Sequence, residues 1–91
     1  MGKFRSSDDE QVYEWTLEGT EDECGSVLYG GWCGLVILSE RDASMLEDDA
    51  VRACIVHEDS QGFVDVDYYQ STDEARADWD EIRESTSEPH Y

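Results

Sequence analysis

Twenty-four of the 91 residues are aspartate or glutamate, against six lysines and arginines, and the formal charge of −18 decides where a core can be. Carboxylates are almost never buried without a partner, so the interior has to come from stretches low in acid or from stretches that confine acid to one side. The longest stretch without charge runs from Cys24 to Ser39, sixteen residues with four glycines. That is too short and too broken to cross a bilayer of about 30 Å, and no transmembrane segment is expected. Its second half, Trp32 to Leu38, follows a Gly30-Gly31 break and lacks alternation, as a strand covered on both faces does. It is the expected middle of a sheet.

Three further stretches carry a strand signature. In "QVYEWTLEG", Tyr13, Trp15 and Leu17 alternate with Val12, Glu14, Thr16 and Glu18, which predicts a half-buried strand with its aromatic side inward. "VRACIVH" and "GFVDVDYYQ" are separated by "EDSQ" and form an expected hairpin, with Val64, Val66 and Tyr68 on one side and Asp65 and Asp67 on the other. "TEDECGS" reads as a charged turn, and "ERDASMLEDDA" as a loop or a single helical turn.

The segment "STDEARADWDEIREST" is the clearest helix. Ser71 and Glu74 form an S-x-x-E capping box, and acids crowd the first turn, where the helix dipole favours them. At 100° per residue Ala75, Trp79 and Ile82 fall on one narrow stripe, while Asp73, Glu74, Asp78, Asp80, Glu81 and Glu84 fill the opposite side. Pro89 lies beyond it as a stop. The expected architecture is therefore α+β: a small antiparallel sheet of about four strands with a C-terminal helix packed on one face. Residues 1–9 are assigned to a flexible N-terminal segment, 10–86 to a single acidic domain and 87–91 to a flexible tail.

The charge also limits the partners. At −18 the chain repels nucleic acid and anionic membrane, which leaves a basic protein partner or a very salty solvent. "MGKFRS" fits the N-myristoylation template, but an acidic body beside anionic lipid argues against it. An odd number of cysteines, Cys24, Cys33 and Cys54, behind an N-terminus without an apolar secretion signal points to a reducing, cytoplasmic setting. An exposed strand edge beside Gly30-Gly31 offers a route to a homodimer.

Motifs for chemistry are sparse. Cys24, Cys33, Cys54 and His57 have the ligand types of a zinc site, but a second paired spacing is missing, and residues 54 and 57 on one strand point to opposite faces. Core thiols are the expectation. Asp65 and Asp67 with Asp59 nearby offer carboxylates for a divalent ion, yet nothing matches an EF-hand loop, and alternating aspartates are ordinary on the wet side of a strand. "YGGWCG" is rich in glycine without a lysine for phosphate, and no nucleophile-elbow, P-loop or dinucleotide fingerprint occurs. The expectation is a non-catalytic protein without metal or cofactor.

What remains is how the acids are arranged. Spread evenly over about 5,400 Å² of surface, 24 carboxylates would stand roughly 15 Å apart, but the sequence clusters them. Asp73 to Glu84 spans about 16 Å of helix, a length over which one DNA strand places about five phosphates. Size, composition and charge layout resemble the DNA-mimic inhibitors that phages and some bacteria direct against restriction, CRISPR, repair or chromatin proteins, without any family motif. The resemblance implies an inhibitor that sits on the basic, nucleic-acid-binding surface of a partner protein. Asp73, Glu74, Asp78, Asp80, Glu81 and Glu84 would lead, with Asp65, Asp67, Glu47, Asp48 and Asp49 contributing where they lie alongside. The alternative needs no partner: with one lysine, five arginines and no asparagine, the chain also matches an acidic domain adapted to molar salt.

Overall fold

The computed structural model describes residues 4–26, 31–59 and 61–87, and its first element departs from the sequence pattern. Ser7–Glu18 is a helix, α1, not a strand. Ser6 caps it by accepting from the Asp9 amide at 3.2 Å, and Asp8, Asp9 and Glu10 fill the first turn. Residues 7–9, placed by their polarity in the flexible N-terminal segment, thus belong to the helix. The alternation of Tyr13, Trp15 and Leu17 misleads because the helix turns Leu17 out to 71% exposure while burying Asp9, Val12 and Thr16. Those three are spaced by three and four, the period of a helix, but two of them are polar and leave no apolar signal.

Four strands follow: β1 (Asp22–Ser26), β2 (Gly31–Ile37), β3 (Ala53–Glu58) and β4 (Val64–Tyr69), antiparallel in the order β1-β2-β3-β4. Three of them, β2, β3 and β4, are where alternation and apolar runs place strands. β1 falls in the stretch read as a charged turn, and β2 is interior as expected. Gly31 pairs with Ser26 inside the sheet, so the strand edges are β1 and β4 and the expected dimer edge beside Gly30-Gly31 is not an edge at Gly31. Gly30 and the run 27–29 lie outside the described residues. Gly34 on β2 lies under the Trp32 indole, which leaves no room for a Cβ.

After β2 comes α2 (Glu40–Ala43), one helical turn capped by Ser39. The β3–β4 hairpin closes on Asp59, whose carboxylate accepts from the amides of Gln61 and Phe63 at 2.9 and 3.0 Å, with Gly62 at φ 91°. Both of those bonds go to Oδ1, which holds the turn. The last element, α3 (Thr72–Ser87), starts where the capping box puts it, and Ser71 Oγ accepts from the Glu74 amide at 3.4 Å.

The sheet is covered on both faces, because residues alternate between two cores. Val12 of α1 packs with Val36, Cys54, Val56 and Val64 on one face, extended by Leu38, Ala43, Leu46 and Val51. Ala75 and Trp79 of α3 pack with Leu35, Ala53 and Ile55 on the other, flanked by Cys33, Ile37, Tyr69 and Ile82. Each fully buried Val, Leu or Ile contributes about 1.5–3 kcal/mol, so two cores are what hold so acidic a chain together. The architecture is α+β with an antiparallel sheet and a C-terminal helix, and the sheet lies between α1 and α3.

Candidate partner-binding surface

α3 is fixed by its apolar stripe: Ala75 is fully buried, Trp79 is 2% exposed and Ile82 is half-buried. Asp73, Glu74, Asp78, Asp80, Glu81 and Glu84 are all exposed, as the helical phase requires. Asp78 differs from the other five because it sits at the border of the acidic arc and its Oδ2 accepts from the Tyr69 hydroxyl at 2.8 Å. Burial, then that hydrogen bond, then the charges of Asp78, Asp67 and Glu74 push the Tyr69 phenol well above its usual range. Arg76 anchors the other flank of the helix, with its guanidinium 3.0 Å from Glu21 ahead of β1.

Asp65 and Asp67 lie on the same side of the sheet as α3, exposed on β4 as alternation predicts. Neither carboxylate is idle: Asp65 is 2.9 Å from Arg5, and Asp67 is 3.2 Å from His57 Nε2. Glu47, Asp48 and Asp49 are exposed too, but they belong to the other side of the molecule. The Glu47 amide donates to Asp8 of α1 at 3.1 Å, and the neighbouring Leu46 and Val51 enter the core under α1. The acidic residues therefore form two surfaces, α3 with β4 on one side and α1 with the 47–49 loop on the other.

The second surface has an apolar floor. Leu46, Val51 and Tyr68 line a hollow of about 180 Å³ rimmed by Asp8, Glu47 and Asp48. The α1 acids of this surface are invisible to a reading that takes residues 1–9 as flexible and 11–18 as a strand. Ser6 followed three residues later by Asp9 is the capping signal that marks them. Of the aromatic residues that could anchor a partner, Tyr68 is exposed, while Trp32 and Tyr69 are half-buried.

Cys54 and His57 point to opposite faces of the sheet, as their spacing requires. Cys54 faces the α1 core, fully buried, whereas His57 meets Cys33 on the α3 face. Among the described residues no group of three or more His, Cys, Asp or Glu side chains is placed to hold a metal ion. No described helix is long and apolar enough to cross a membrane. Comparison with protein-family models, curated proteins and solved structures gives no match for this chain.

Proposed function

We propose that this chain is a non-catalytic acidic module whose α3 face occupies the basic, nucleic-acid-binding surface of a partner protein. The observation that carries the reading is the mounting of the carboxylates. Asp73, Glu74, Asp80, Glu81 and Glu84 project from a helix locked down by Ala75 and Trp79, and no hydrogen bond or ion pair of their carboxylates to another described side chain is seen. Over about 16 Å they match the linear charge density of one nucleic-acid strand. A surface of Lys and Arg built for phosphates accepts such a row through charge-assisted hydrogen bonds. Asp65 and Asp67 extend the row on β4, at reduced strength because Arg5 and His57 already face them. Glu47, Asp48 and Asp49 belong to a different surface and drop out of this contact.

The test is a comparison of two equal charge reversals. Asp80, Glu81 and Glu84 are changed to Lys in one variant, and Glu47, Asp48 and Asp49 in the other, with folding checked by circular dichroism. Basic proteins retained by the wild-type chain and displaced by duplex DNA should be lost from the first variant and kept by the second. Retention unaffected by the α3 reversal overturns the reading.

A second reading, surface acidity as adaptation to concentrated salt, is favoured by one observation. Exposed carboxylates occur on both sides of the sheet and not on α3 alone.

A further inference from the structure

The α3 face of the sheet carries one arrangement that charge recognition does not account for. Cys33 on β2 and His57 on β3 are register partners, and Cys33 Sγ lies 3.3 Å from His57 Nδ1. On the far side of the ring, Nε2 lies 3.2 Å from Asp67 Oδ2. An ionised carboxylate only accepts, so Nε2 carries the hydrogen and donates to Asp67. Nδ1 is then left with its lone pair and accepts from the thiol. The chain S–H to Nδ1, Nε2–H to carboxylate offers the sulfur's proton to an imidazole that Asp67 holds in position. That is the polarity by which a base, oriented by a third group, activates a nucleophile.

We propose that Cys33 is a reactive thiol site for small neutral oxidants of the hydroperoxide class, with His57 as its proton acceptor and Asp67 as the positioning residue. In the step, sulfur attacks one peroxide oxygen and the O–O bond breaks. Sulfur is oxidised to a sulfenic acid, the peroxide is reduced, and the proton held on His57 goes to the leaving oxygen, giving water or an alcohol.

Two features select this chemistry over its neighbours. The charge of −18, with Asp65 and Asp67 close by, repels anionic electrophiles, whereas proton transfer within the Cys33–His57 pair creates no net charge and a neutral peroxide meets no barrier from the field. A metal between Sγ and Nδ1 would find, among the described side chains, two of the four ligands it needs. Cys54 supplies the contrast inside the same molecule. It is fully buried on the opposite face, and burial, followed by the charges of Asp9 and Asp8, pushes its thiol up to about 12.

The backbone of Cys24 stands across from Cys33 on β1, so the test uses a Cys24→Ser chain in which only Cys33 and Cys54 remain. Alkylation by neutral iodoacetamide at neutral pH is followed by peptide mass. Cys33 in the folded chain should react about tenfold faster than in the urea-unfolded chain, and Cys54 should stay unmodified. Anionic iodoacetate should be disfavoured more strongly by the folded chain than by the unfolded one, and hydrogen peroxide should give a dimedone-trapped sulfenic acid at Cys33. His57→Asn should remove the enhancement; Asp67→Asn should reduce it and Asp67→Glu restore it. Nitrogen-15 NMR should find His57 as the Nε2–H tautomer, a readout that stands even if a His57 variant fails to fold. A folded chain whose Cys33 reacts no faster than the unfolded one, or a folded His57→Asn chain that reacts as fast as wild type, overturns the proposal.

Discussion

The Tyr68 hydroxyl on β4 donates to the Asp9 carboxylate on α1, joining positions 59 apart in sequence. Asp9 is 4% exposed, an unexpected place for a carboxylate in so acidic a chain. Two things make it tolerable: it sits in the first turn of α1, at the positive end of the helix dipole, and the phenol satisfies its oxygen. Tyr68→Phe removes the donor and leaves a buried carboxylate short of a partner, which should cost about 1–3 kcal/mol in urea denaturation. Asp9→Ala should cost a similar amount, and the double variant less than the sum of the two, because they break one bond.

The same bond sets a response to base. Burial first, then the hydrogen bond and charge of Asp9, raise the Tyr68 phenol above its usual range, and burial with Asp78 does the same for Tyr69. A group whose proton is held more tightly in the folded state stabilises that state fully below its unfolded pKa of about 10, and the contribution is lost as pH rises through the folded value. The urea midpoint should therefore fall as pH climbs above about 10. Tyr69→Phe should flatten that fall, since phenylalanine has no proton to lose. A midpoint that declines equally steeply in the variant would assign base sensitivity to carboxylate repulsion instead.

How far the sequence discloses this molecule depends on where the signal lies. β2, β3, β4 and α3 announce themselves because their buried positions are apolar and periodic, from Leu35 and Ile55 to Trp79. α1 does not, since two of its three buried side chains are Asp9 and Thr16, and Tyr13, Trp15 and Leu17 supply a false period of two. β1 has no alternating apolar residues to mark it, because it is an edge strand cut from an acidic stretch. The exposure of the α3 carboxylates was legible from helical phase alone. The engagement of Asp78 by Tyr69, and the meeting of Cys33, His57 and Asp67, depend on strand register and helix placement, which spacing along the chain does not contain.

Trp79 separates the charge of α3 from its rigidity. It is 2% exposed and packs on Leu35, Ala53 and Ile55, so Trp79→Ala should cost about 3–5 kcal/mol. No carboxylate changes. If a fixed row is what a basic surface recognises, the variant should bind a DNA-displaceable partner far more weakly at a temperature where β2 to β4 remain folded by hydrogen exchange. Undiminished binding there would show that net charge suffices and that the helical row is incidental.

Salt decides between the two readings of the acidity. Carboxylates on adjacent turns of α3 stand about 5–6 Å apart, inside the screening length of about 10 Å at 0.1 M and outside the length of about 3 Å at 1 M. Self-repulsion is thus felt in dilute buffer, and the surface ion pairs Arg5–Asp65 and Arg76–Glu21, both well exposed, offset little of it. What resists it is the pair of cores, one under α1 and one under α3. A recognition module should keep its far-ultraviolet circular dichroism on dilution to about 0.1 M salt, with a urea midpoint only modestly below that at 1 M, and should lose its partner as salt rises. A solvent-adapted domain should do the reverse and unfold on dilution. Unfolding at about 0.1 M would leave the α3 row without a folded helix to present it under conditions where charge attraction is strong, and the recognition reading would fall with it.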